Sequence, residues 1–136
     1  MLKLTLVNYR FNEIHLHSDF AKLQTLGEIV DLQQKLSFKI RFNDAHNAAE
    51  AIFNQVYESK TDPEAFHVTV EIFGQFECGE KQENDIELHI QAYYMLFPYV
   101  QTVIRNLSIE ANLPPLVIVP YKLTEKDIER NQKKEE

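Results

Sequence analysis

DIELHIQAYYMLFPYVQTVIRNLSIEANLPPLVIVP, residues Asp85 to Pro120, decides the fold. Ile86, Ile90, Tyr93, Leu96, Phe97, Val100, Val103, Ile104 and Leu107 recur at gaps of three and four. That spacing puts them on one face of a helix. The expected helix runs from about Asp85 to about Ala111. Asp85 and Glu87 stand where a helix N-terminus favours negative charge. Pro98 removes one backbone donor inside the pattern and is expected to kink the helix near Tyr94 to Phe97. Asn112, Pro114 and Pro115 end it, because the residue before a proline is pushed out of helical geometry. Leu116 to Val119 follows as a short extended apolar run.

Upstream the period changes from helical to alternating. Leu2, Leu4 and Leu6, then Tyr9 and Phe11, then Ile14 and Leu16 read as one long strand over residues 2 to 16. Its alternation slips around Val7–Asn8 or Phe11–Asn12, which a bulge explains. Asp19 to Gln33 gives no clear period and reads as a loop with partial order. From Lys35 to Asn43, apolar Leu36, Phe38, Ile40 and Phe42 alternate with polar neighbours, as in a half-buried strand with a basic outer face. Phe66, Val68, Val70 and Ile72 share one face of a strand over Phe66 to Glu77, with Gly74 marking a bulge or close approach.

Residues 45–58 read two ways. Ala48, Ala49, Ile52, Phe53, Val56 and Tyr57 form a helical face, with Asp44 or Asn47 as cap, and alanine disfavours strand. Helix is therefore the expectation from the residues themselves. Thr61-Asp62-Pro63 is a turn. Thr124 with Asp127 opens a last charged helix or tail over 124–136, beyond a single domain at 1–123.

A chain of 136 residues with net charge −7 and no clustered Lys and Arg is no nucleic-acid groove. No apolar run approaches the roughly 18 residues that span a membrane. One cysteine, Cys78, forms no intrachain disulfide and fits a reducing cytoplasm. His15 and His17 share a strand face, but no Cys or carboxylate cluster joins them, so no metal is expected. Three glycines make no phosphate loop, Cys78 has no local catalytic signature, and no cofactor or enzyme chemistry is expected. Nine Phe and six Tyr give this chain more apolar surface than one sheet and one helix cover. The expectation is a homo-oligomer, dimer or tetramer.

LFPY at Leu96–Tyr99, Ile104, and LPPLVIVP at Leu113–Pro120 resemble the C-terminal half of the bacterial export chaperone SecB. FNEIHLHSD at Phe11–Asp19 and FHVTVEIFGQFE at Phe66–Glu77 resemble its first and last strands. The departures are Val100-Gln101, where the family usually has Ala-Arg, and Tyr121-Lys122-Leu123 after the last proline. The resemblance implies an α+β fold, an antiparallel three- or four-stranded sheet packed on a long kinked helix. It would place a third strand at 45–58, against the helix expected from the residues. It also implies an oligomeric, ATP-independent holdase for unfolded polypeptide, possessing no cofactor.

Candidate positions for a client groove or oligomer interface are Phe38, Phe42, Phe66, Phe76, Tyr93, Tyr94, Met95, Phe97 and Tyr99. Glu13 matches an acidic position at which the family docks the translocase motor SecA. His17, His67 and Thr69 fall where the family has an acid, a leucine and another acid, which argues against that docking here. A toxin–antitoxin pair or a phage-encoded client is the alternative partner. The competing function is a structural adaptor that keeps the fold and has lost the groove.

Overall fold

The computed structural model describes residues 4–25, 32–45, 47–78 and 85–113. Four strands and two helices follow in the order β1 (Leu4–Ser18), α1 (Phe20–Thr25), β2 (Leu32–Phe42), β3 (Ala48–Ser59), β4 (Phe66–Cys78) and α2 (Asp85–Glu110). The strands form one antiparallel sheet in the order β1-β4-β3-β2. Strands β2, β3 and β4 are a meander, and β1 joins its far side against β4. Thus β1 and β2, consecutive in sequence, are opposite edges. The run after Pro114 and the 124–136 tail lie outside the described residues.

Strand β1 slips register twice, between Leu6 and Asn8 and between Phe11 and Glu13. The sequence offered these two places as alternatives for one slip, and the strand uses both. Val7 and Asn12 are the extra residues, and each bulge interrupts the backbone edge that β1 presents.

The structure overturns the helix at 45–58. Strand β3 occupies this stretch and points Ala49, Ala51, Phe53, Gln55, Tyr57 and Ser59 inward. Glu50, Ile52, Asn54 and Val56 face the other way, toward solvent. The apparent helical face mixed residues of both sheet faces. The alanines are small for a packing reason. Ala49 lies between Phe42 and Phe76, and Ala51 between Ile40 and Gly74. Phe42 and Phe76 fill the space beside Ala49, and Ile40 that on one side of Ala51. Before β3, Asn43 closes the hairpin, its Oδ1 accepting from the amides of Asn47 and Ala48 at 3.0 and 3.1 Å.

Part of the expected loop at 19–33 is ordered. Asp19 Oδ1 accepts from the Lys22 amide at 3.1 Å and caps α1. Strand β2 begins at Leu32, before the expected Lys35.

Helix α2 packs on β4, with β1 and β3 beside it. Its Leu88, Ala92, Tyr93, Leu96, Val100 and Ile104 are fully buried; of the expected face Ile86, Ile90, Val103 and Leu107 are only half-buried, and Leu88 and Ala92 lay outside it. Gly74 is the close approach. A Cβ there would meet Leu96 Cδ2 at 2.9 Å, so the missing side chain is what lets α2 sit this near β4. Asn112, one of the residues expected to end α2, closes it. It adopts φ 58°, and its amide and that of Leu113 donate back to Ile109 and Ser108 carbonyls at 3.0 and 2.9 Å. This is a Schellman cap, with Leu113 packed against the core. Pro98 lies on the exposed side of α2, which continues through it.

A candidate polypeptide-binding surface

Most of the aromatic candidates come together in one chain of rings. Phe42 stands against His89 at a centroid distance of 6.1 Å, and His89 against Phe38 at 6.4 Å. Phe38 meets Tyr93 edge-on at 5.8 Å. Tyr93 then touches Phe53, Tyr94 and Phe97 at 5.0, 5.1 and 6.0 Å. Such edge-to-face pairs add stability beyond the area they bury. The strand period aims Phe38 and Phe42 toward α2, and the helix period aims His89, Tyr93 and Phe97 toward the sheet.

Burial divides the nine candidates. Phe38, Phe66, Phe76, Tyr93 and Phe97 are buried in the core. Phe42 and Met95 are half-buried, and Tyr94 and Tyr99 are exposed. Phe66 and Phe76 lie toward opposite ends of β4, in register with Ser18 and Leu6 of β1. Tyr99 belongs to a second surface. Its ring stacks on Tyr9 of β1 at 4.2 Å, and Tyr9 meets Phe11 edge-on. Tyr9 and Tyr99 are 41% and 38% exposed, a pair that the sequence reading identified only through Tyr99, and farther along β1 Ile14 is 47% exposed. Tyr9 and Ile14 keep the α2-facing register of β1, opposite Gly74 and Val70, and are exposed because β1 is an edge strand.

Glu13 is exposed on the sheet face away from α2, directly opposite Glu71. His17 pairs in register with His67, and His15 with Thr69, on that same face. Among the described residues, no three His, Cys, Asp or Glu side chains are grouped to hold a metal ion. A cleft of about 400 Å³ at the other end of this face is lined by Val7, Arg41, Asn43, Glu50, Gln75 and Glu77 among others. No described helix is long and apolar enough to cross a membrane.

The open face also carries a polar hub that the sequence did not reveal. Glu58 side-chain exposure is only 7%, and its carboxylate meets Lys35 Nζ at 2.9 Å, Gln33 Nε2 at 2.7 Å and His67 Nδ1 at 3.2 Å. His67 Nε2 contacts Thr69 Oγ1 at 2.7 Å. The Lys35 ammonium, with Gln33 and His67, holds the Glu58 carboxyl below its ordinary value. A depressed native pKa stabilises the fold above the unfolded pKa, about 4.3, and that stabilisation is lost as pH falls through the native value. Glu58→Gln is accordingly expected to be less stable than wild type at pH 7, with the difference shrinking below about pH 4.3. Urea unfolding at pH 7 and pH 3 measures it; a gap that stays constant would remove Glu58 from this role. On the inner face, burial pushes the Tyr57 hydroxyl up to about 12, so it stays neutral.

No family model matches the sequence. An uncharacterized protein of Methanocaldococcus jannaschii is 27% identical over 116 residues, 80% of this chain and 75% of that protein. A protein of unknown function from Streptococcus agalactiae superposes with a TM-score of 0.54 at 10% identity, over 89% of this chain and 99% of that one. The Mycobacterium tuberculosis Rv1957 SecB-like chaperone, solved with a ChAD peptide from the Rv1956 HigA1 antitoxin, superposes with a TM-score of 0.65 at 12% identity, over 88% of both chains. The four-stranded antiparallel sheet with its long C-terminal helix therefore has a SecB-like fold.

Proposed function

We propose that this protein is an ATP-independent holdase that binds unfolded or extended polypeptide and works as a homo-oligomer. The observation that carries this reading is the ring chain from Phe42 to Tyr94 in a SecB-like fold. Phe42 and Tyr94 supply its accessible ends, and Phe38, Tyr93 and Phe97 its floor. Aromatic surfaces accept many sequences because apolar burial, not one specific hydrogen bond, carries affinity. Burial is worth about 25 cal/mol per Å² before ordering costs are subtracted. The ChAD peptide bound by the SecB-like neighbour is a ligand of the proposed class.

The oligomer is assigned to the other surface. Tyr9, Tyr99 and Ile14 stand beside the edge strand β1, where a second copy would cover them. Pro98 helps set that surface by shaping α2 one residue before Tyr99. Pro98→Ala restores a backbone donor toward Tyr94 and is expected to straighten the helix and weaken assembly. A mutant structure and light scattering decide; unchanged helix geometry with an unchanged oligomer counts against this.

One observation favours an adaptor that has lost its groove: five of the nine candidates are buried in the core. Fluorescence anisotropy of a permanently unfolded, labelled polypeptide separates the readings. The holdase binds it at both low and 1 M salt, since apolar burial is not screened. The adaptor binds it at neither.

A further inference from the structure

Strand β2 is held differently from the strands beside it. All inward residues of β3 and β4 are buried. Of the inward residues of β2 only Phe38 is buried; Leu32, Leu36, Ile40 and Phe42 are half-buried and Gln34 is exposed. One side of β2 is a free edge. Of its ion pairs to β3, Arg41–Glu50 is exposed on both sides and such pairs contribute little, while Lys35 and Gln33 tie only the start of β2 to the buried Glu58 carboxylate.

The clearest sign is Gln55. It is fully buried on the inner face of β3, between Leu36 and Val70 in register. Its Nε2 reaches β2 only at 3.4 Å, to Gln34 Oε1 and the Lys35 carbonyl. Its Oε1 has no donor. An unpaired buried acceptor favours any state that hydrates it. Detaching β2 would do so, while β3, β4 and α2 kept their own packing.

We propose that β2 opens from β3 as a unit, ahead of the rest of the sheet, and that this opening presents Phe38, Phe53 and Tyr93 to a client. The inference rests on the holdase reading and deepens it, for it supplies a route by which buried rings reach polypeptide. Gln55 is a positioning residue here: it biases the opening and makes no claim to touch the client. Local opening of this kind belongs to the low end of a protein's stability range.

Two measurements test it. In the first, native-state hydrogen exchange compares β2 with the β3–β4 ladder. Exchange of β2 is expected at least about tenfold faster, and Gln55→Leu is expected to slow it about five- to a hundredfold, the range set by an unsatisfied acceptor. Exchange of β2 in step with β4, or unaltered by Gln55→Leu, overturns the proposal. This arm needs no client and is decisive even where the holdase reading fails.

In the second, Ser37→Cys with Asn54→Cys joins directly opposed positions of β2 and β3 on the outer face. Opposed antiparallel residues have the Cα separation that a disulfide requires. The oxidised variant is expected to lose client binding at least tenfold and to regain it on reduction. An oxidised variant as active as wild type overturns the proposal and leaves the holdase reading standing.

Discussion

Phe53→Ala lowers the unfolding free energy by about 3–5 kcal/mol, while Ile52→Ala next to it costs less than about 1.5 kcal/mol. Phe53 is fully buried between Phe38 of β2 and Ile72 of β4, with the Tyr93 ring 5.0 Å away. Its removal leaves a cavity that the two strands and α2 cannot close without breaking their own ladders. Ile52 faces the opposite side and is substantially exposed. The loss at Phe53 is a large part of the 5–15 kcal/mol that holds a typical domain. Urea unfolding with an unchanged m-value measures both. The contrast also tests β3, since a helix would put residues 52 and 53 on neighbouring parts of one face. Equal costs at the two positions would contradict the strand.

The second large effect concerns assembly. Wild type is expected to remain an oligomer on dilution, and Tyr9→Asp with Tyr99→Asp to give a monomer. The two rings stack on each other and are both exposed, so a second copy would bury them together. Two carboxylates in the centre of such a patch would lose their water without gaining partners, which is costly. Both positions are exposed in the single chain, so the fold itself should survive the change. Light scattering over a dilution series with circular dichroism as control decides it. A wild-type protein that is monomeric throughout would contradict the assembly, and an unchanged oligomer in the double variant would move the interface elsewhere.

Elements with one wet and one dry face were legible in the sequence. Helix α2, strand β4 and most of β2 showed their periods, and both slips in β1 were visible as broken alternation. Strand β3 was not, because Ile52 and Val56 put apolar side chains on its outer face and Ala49 and Ala51 put small ones inside. Only the flanking strands, distant in sequence, explain those alanines. At the end of α2 the stop at Asn112 was legible, but not its left-handed conformation.

The candidate surface was legible in residue type and not in burial. Sequence identified the aromatic supply but could not separate the core rings, such as Tyr93 and Phe76, from the accessible Tyr94 and Tyr99. It also missed two of the buried polar groups. Glu58 and Gln55 lie in plain alternation, and what makes them special is a partner gained or lacking on a neighbouring strand.

The central claim is that apolar surface on this fold holds unfolded chains apart. Aggregation of a chemically unfolded client after dilution, followed by light scattering with a stoichiometric amount of this protein and no nucleotide, tests it most directly. The account predicts suppressed scattering at low salt and at 1 M salt alike, with unfolded clients competing and folded proteins not. Scattering unaffected at both salt concentrations would contradict it.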